Sequence, residues 1–196
     1  MSEQIKIYAR KCEVKQISKE ESNLMYEEYH LLGRTINITV SYGLFYNNEL
    51  LSCMSFQKGR YKNNKKSVWC LTRFVTKSGN IVIGGASRLL TQFERDFNPS
   101  TLISYSDNDY FRGELYSKLG FTCSGDTRFP RYYWYLNGSE LKREQCQLKF
   151  LSKQYPELYQ ESLQYKGNKE DYIMLSLGAN KVYRSGNTKW IKRYSE

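Results

Sequence analysis

The chain has 196 residues, with 30 Lys and Arg against 20 Asp and Glu, a formal net charge of +10. That length suits one domain, or one domain with a small appendage, and is enough to bury a core. Aromatic residues at 15% argue against disorder. No apolar run approaches a membrane span and MSEQIKIYARK lacks a signal peptide's apolar region, so a soluble cytoplasmic protein with no membrane partner is expected.

The charge favours a polyanionic partner: nucleic acid, a phosphate-rich cofactor, or both. The five cysteines (Cys12, Cys53, Cys70, Cys123 and Cys146) form no CxxC or CxxH pair, so no metal site is expected and reduced thiols are the default.

In chain order, Ile5–Glu13 alternates as a strand. Ser18-Lys19-Glu20-Glu21 is a capping box that opens a helix running to about Leu31, with Leu24, Met25, Tyr29 and Leu32 available for its core face. His30, the single histidine, stands at the end of that helix, where it suits a C-cap or a functional group equally. Ile36–Tyr46 and Glu49–Phe56 are β-rich runs joined by Asn47-Asn48, a hairpin signal. The acid-free run Gln57–Lys66 carries Lys58, Arg60, Lys62, Lys65 and Lys66, and reads as a basic hairpin loop suited to phosphate contact. Ser67–Thr76 is a strand whose apolar face Arg73 interrupts.

Asn80–Glu94 is the stretch the chain is organised around. The apolar Ile81-Val82-Ile83 meets Gly84-Gly85-Ala86, and Leu89, Leu90 and Phe93 follow at helical spacing. Strand, tight turn and helix start leave backbone N–H groups at the positive end of a helix dipole, a ready phosphate site. Ser87 is placed to cap that helix or to donate a hydroxyl. Neither GxxxxGK[ST] nor GxGxxG with a later acid is present.

Thr101–Ser106 is an apolar strand ending at Asp107, and Phe111–Leu119 a short helix ended by Gly120. Thr122–Asp126 and Arg131–Leu136 close the sheet. Beyond Gly138, Ser139–Lys153 reads as an amphipathic helix and Glu170–Leu177 as another. The tail Lys181–Arg193 carries Lys181, Arg184, Lys189, Lys192 and Arg193 with Tyr183 and Trp190 between them, a pattern suited to phosphate contact and base stacking. Hairpins first and crossovers later give an α/β class with a mixed, mostly antiparallel sheet flanked by helices. Residues 1–137 form the expected core and 138–196 a basic helical extension packed on it.

Three segments resemble the GNAT acetyltransferase superfamily: IVIGGA (Ile81–Ala86) in place of its pyrophosphate loop, with Ile81 where Gln or Arg is usual; the strand TLISYS (Thr101–Ser106); and LYSKLGF (Leu115–Phe121). A wider set is similar to phage Mom-type DNA-modification proteins and to the C-terminal domain of phage homing-endonuclease-like proteins. It comprises HLLG, GLFYNNELLSCMSF, LTRF, IGGASRLL, ISYSDNDYFRGELYSKLGF, PRYYWY and YRSGNTKW.

The resemblance implies acetyl-CoA or another acyl-CoA, held by Ile83, Gly84, Gly85, Ala86, Ser87 and Arg88. It implies Tyr116 as the acid that protonates the leaving thiolate, with His30 and Asp107 as candidate bases. Arg60 and Arg73 would orient a phosphate or a carboxylate-bearing acyl group. The expected reaction is modification of a nucleic-acid base, adenine N6 foremost, in a phage-infected host. Double- or single-stranded DNA would be held by Lys58, Arg60, Lys62, Lys65, Lys66, Tyr133, Lys189 and Trp190. The alternatives are a non-catalytic nucleic-acid-binding domain of mobile elements and a protein or small-molecule N-acetyltransferase.

Overall fold

The computed structural model describes residues 5–59, 67–127 and 132–194. They divide into two compact units, one within residues 5–106, 113–125 and 188–194 and the other within residues 107–112 and 126–187. The division does not follow the expected single break at 137. The segment after Asp126 already belongs to the second unit, and the chain's last strand returns to the first.

The first unit is built on a seven-stranded sheet. Its strands are β2 (Glu13–Ile17), β3 (Val40–Tyr46), β4 (Glu49–Lys58), β5 (Val68–Thr76), β7 (Thr101–Asp107), β8 (Thr122–Asp126) and β12 (Asn187–Arg193), in the order β2-β3-β4-β5-β7-β12-β8. Pairing from β2 through β5 is antiparallel, and β5 to β7 is parallel. The β3–β4 hairpin closes through Asn47 and Asn48 at φ 49° and 64°, the left-handed pair that a two-residue turn matched to strand twist requires.

Helix α1 (Lys19–Tyr29) carries the expected capping box, with Ser18 Oγ accepting from the Glu21 N–H and Glu21 accepting from the Ser18 N–H. Its core face differs from the sequence reading. Met25 and Tyr26 are buried, whereas Leu24 is exposed on the helix and Leu32 beyond it. Hydroxyls fix this helix to the sheet: Tyr26 bonds Ser55, Ser55 bonds Ser41, and Ser41 bonds Ser22.

Helix α2 (Gly85–Phe97) covers the other face with Leu89, Leu90 and Phe93, and Phe93 stacks on Phe56 of β4 with ring centroids 3.7 Å apart. The expected strand Ile5–Glu13 is instead β1 (Ile5–Tyr8), a 3-10 turn (Ala9–Lys11) and the start of β2. β1 pairs in parallel with β6 (Asn80–Ile83), a separate two-stranded ribbon that leads into α2. Helix α3 (Glu114–Lys118) begins after Gly113 rather than at Phe111.

The second unit holds a three-stranded sheet, β10 (Ser139–Glu140), β9 (Tyr132–Leu136) and β11 (Asn180–Tyr183), with helices α4 (Leu148–Gln154), α5 (Pro156–Ser162) and α6 (Lys169–Ser176). Two expectations fail here. Arg131–Leu136 was to close the main sheet, but β9 pairs only with β10 and β11. Ser139–Lys153 is not one helix: the short strand β10 and a 3-10 turn precede α4, because Trp134, Cys146, Leu151, Ile173 and Met174 form a core of their own. Helix α6 and its terminal Gly178, at φ 78°, match the reading. Among the described residues no helix is long and apolar enough to cross a membrane.

Candidate active site

β5 and β7 pair with each other at Val68–Thr101, Trp69–Leu102 and Cys70–Ile103, then run on to Thr76 and Asp107 without pairing each other. The two strands part in the middle of the sheet. Buried Ser104, the first β7 residue past the break, sends its Oγ to the Leu71 carbonyl at 2.9 Å and to Tyr116 Oη at 3.0 Å.

Tyr116 Oη is also 3.2 Å from the Tyr105 carbonyl. Two hydroxyl protons thus serve three contacts, so the phenol's proton has two alternative acceptors. The ring is held by stacking on Trp190, at 5.5 Å and 18°, and by the edge of Phe121 at 5.6 Å. Burial raises the phenol's pKa while the Ser104 hydroxyl opposes the rise, so Tyr116 keeps its proton at neutral pH. Gly113 makes this packing feasible: at φ 77°, a Cβ there would lie 2.0 Å from Trp190 Cζ2.

On the opposite face of β5 lies Arg73, and a bulge puts it there. Ser55 pairs with Arg73 and Phe56 with Leu71, leaving Thr72 as the extra residue. Trp69 and Leu71 pack with α2, but after the bulge it is Phe74 that joins them, while Val75 packs with Met25 and Tyr26 of α1. Arg73 therefore does not interrupt the apolar face, as strict alternation implied; the bulge re-aims it toward α1. Its Nε donates to the Gly33 carbonyl at 3.4 Å and its Nη1 to the Thr72 carbonyl at 2.9 Å. Burial lowers its pKa, and Tyr26, Tyr116 and Cys70 lie within its electrostatic reach. Burial also pushes the Cys70 thiol up to about 11.

His30 is the C-cap of α1, with its N–H on the Tyr26 carbonyl. Its Nδ1 accepts the Leu32 N–H at 3.0 Å, and burial and the Arg73 charge lower its pKa to about 4. A neutral imidazole with Nδ1 occupied carries its proton on Nε2. This geometry supplies a donor, and the assignment of His30 as a base is corrected accordingly. Asp107 Oδ1 accepts the Asp109 N–H at 3.0 Å, and the Asp107 carbonyl takes the N–H groups of Tyr110 and Phe111. Its carboxylate holds a turn, a role that suits the run Asp107-Asn108-Asp109.

At the start of α2, Gly84 is the N-cap at φ 78° and no side chain caps the helix. Ser87 is no cap; it is the third helical residue and is exposed. Gly84 is open, with a Cβ meeting nothing closer than Ala9 Cβ at 3.9 Å, whereas Gly85 is buried against Val82 and Leu44. Arg88 donates Nη1 to the Ala9 carbonyl at 2.7 Å, tying α2 to the segment after β1, and Ile83 ends β6 with its side chain exposed. An uncapped first turn, flanked by an open glycine and a small hydroxyl, fits a pyrophosphate.

Of the residues expected to hold nucleic acid, four are described. Trp190 is buried, stacked on Tyr116 and hydrogen-bonded to Ser106 Oγ at 2.9 Å, so it cannot stack a base. One face of Tyr133 is covered by the Arg184 guanidinium at 4.1 Å. Lys189 is half-buried on β12, Lys58 is exposed at the end of β4, and Arg60, Lys62, Lys65 and Lys66 lie outside the described residues. In the tail, Lys181 pairs with Asp171, Arg184 with Glu140 and Lys192 with Glu94.

Sequence reasoning missed Ser104, although Ser104 and Ser106 at period two on an otherwise apolar strand are a usable signal for hydroxyls on one inward face. Among the described residues no cluster of metal-ligating side chains occurs.

No family model and no curated protein matches the chain. Solved structures do. An acetyltransferase of Bacillus subtilis in complex with CoA aligns over 94% of this chain and 100% of that one, with 12% identity and a TM-score of 0.52. N-acetylglutamate synthase of Neisseria gonorrhoeae, complexed with coenzyme A and N-acetyl-glutamate, aligns over 94% of this chain but 35% of its own, with 14% identity and a TM-score of 0.50. At such identities the likeness is one of fold: the chain has the GNAT acetyltransferase fold, a central and mostly antiparallel sheet flanked by helices.

Proposed function

We propose that the protein is an acyl-CoA-dependent N-acyltransferase acting on an aliphatic amine. The observation that carries this reading is Tyr116 Oη, protonated and held by Ser104 where β5 and β7 part. The solved structures of like fold that hold coenzyme A support the same cofactor here.

Bound acyl-CoA would supply an activated acyl group on sulfur. The first turn of α2, from Gly84 to Arg88, would hold its pyrophosphate on backbone N–H groups and the helix dipole. Tyr116 would keep a proton at Oη and deliver it to the departing thiolate, a group that needs a positioned O–H. The phenolate then recovers a proton from the acylated nitrogen, so Tyr116 ends as it began. Ser104, which can either donate to Oη or accept from it, steadies both protonation states.

An aliphatic amine suits these residues better than adenine N6, because its ammonium form gives its proton to bulk water before binding and the free base has a localised lone pair. The exocyclic amine of adenine has a delocalised lone pair and needs a base, yet His30 carries its proton at Nε2 and Asp107 is held in a turn. A base-modifying, Mom-type role on DNA is favoured by the net charge of +10 and by the resembling segments, and its test is the salt dependence of DNA affinity.

The cofactor reading is tested at Ser87. A carboxylate in the first turn of a helix stabilises the helix but opposes a bound phosphate. Ser87→Glu should therefore keep or raise the melting temperature while weakening acetyl-CoA about tenfold or more in a calorimetric titration. Unaltered acetyl-CoA affinity would remove α2 from the cofactor site.

A further inference from the structure

Arg73 is a half-buried cation that no acid among the described residues pairs. The ion pairs among the described residues join Lys15, Arg34, Lys77, Arg143, Lys181, Arg184 and Lys192 to carboxylates, and Arg73 is in none of them. The acidic residues outside the described ones are Glu3 and Glu196. A half-buried charge without a counter-ion is costly, and such charges are ordinarily paired.

Of the guanidinium's five N–H groups, Nε–H and one on Nη1 go to the carbonyls of Gly33 and Thr72. One on Nη1 and both on Nη2 are left, the end-on edge that a carboxylate takes through two parallel hydrogen bonds. Among the described residues, the groups whose electrostatics couple to Arg73 are the hydroxyls of Tyr26 and Tyr116, the thiol of Cys70 and the imidazole of His30. None of them is an anion at neutral pH, and His30 adds an Nε2–H donor. One guanidinium beside neutral donors matches a single negative charge, not the two of a phosphate. The bulge at Thr72 is what turns this cation out of the apolar core and toward that cluster.

We infer that Arg73 binds the carboxylate of the acceptor, so that the substrate is a small amine bearing a carboxylate, of the amino-acid type. This rests on the transferase reading above, because it identifies the second substrate of the same site.

The test compares acetyl transfer from acetyl-CoA to glycine, β-alanine, 4-aminobutyrate and the L-amino acids with transfer to the carboxamide of each. The expected result is a preference of tenfold or more in kcat/KM for at least one acid over its amide, abolished in Arg73→Gln and reduced in Arg73→Lys, with acetyl-CoA affinity retained. Equal use of acids and amides, or a preference that survives Arg73→Gln, overturns the inference.

The lone histidine gives a second readout, on the wild-type protein. The nuclear magnetic resonance titration midpoint of His30, which burial and Arg73 hold below the ordinary histidine value, should shift upward with a bound amino acid and stay fixed with its amide. No shift with any acid of the panel at millimolar concentration also overturns the inference. A protein that binds no acetyl-CoA but shows the His30 shift would lose the transferase reading and keep the carboxylate site.

Discussion

Arg73 and the cations of the C-terminal tail differ in a way that their sequence does not show. The tail is a run of Lys and Arg without an acid, which resembles an open phosphate-binding strip, yet in the fold Lys181, Arg184 and Lys192 each meet a carboxylate brought from elsewhere in the chain. Arg73 sits alone in an apolar strand and, among the described residues, its hydrogen bonds go to two carbonyls and none to a carboxylate. Paired cations of this kind hold structure together. An unpaired, half-buried one spends stability and points to a ligand.

The contrast can be broken by removing members of each group. The largest effect on stability should come from Glu94→Ala, which strips both Lys192 Nζ, at 2.7 Å, and Tyr194 Oη, at 2.5 Å, of their shared acceptor. Two charge-assisted hydrogen bonds in a mostly buried setting make this a loss of about 2–3 kcal/mol in denaturant unfolding. A loss below about 0.5 kcal/mol would show that the pairing is incidental.

His30 should make stability depend on pH in a stated direction. Burial and Arg73 hold its folded pKa at about 4, below the ~6.5 of an unfolded histidine. Between those values the unfolded chain binds the proton first. His30 thus contributes stability that is complete above ~6.5, falls as pH drops toward 4 and levels off below it. Melting temperatures of the wild type should fall more steeply over that window than those of His30→Gln, and parallel curves would contradict the assignment.

The smallest effect on stability should come from Arg73→Gln. Because no acid loses its partner, unfolding free energy should stay within about 1 kcal/mol of the wild type or rise. A loss of 3 kcal/mol would mean that Arg73 is structural and the contrast false.

Much of the first unit was legible in the sequence because its signals are local. The Ser18–Glu21 capping box, the Asn47-Asn48 turn, the glycines before α2 and Gly120 after α3 each act within a few residues, and each stands where it was expected or within a few positions. LYSKLGF marked Tyr116 as a candidate, but nothing local marked Ser104 as its partner, since that contact forms only when β7 runs beside β5. Arg73 was misplaced because one extra residue at Thr72 inverts the alternation of β5, and a bulge leaves no mark in composition. The second unit was misread for the same kind of reason. Whether Tyr132–Leu136 joins one sheet or another depends on β11, more than forty residues later, and Trp190's aromatic ring was assigned to nucleic acid when it is the platform under Tyr116.

The central claim is that Tyr116 holds the proton that leaves with the thiolate. The most direct test is steady-state turnover of Tyr116→Phe beside its acetyl-CoA affinity, because the substitution removes Oη and keeps the ring on Trp190. The account predicts a fall in kcat of about 10²-fold or more with affinity changed by less than about threefold. Turnover equal to the wild type at equal affinity would contradict it.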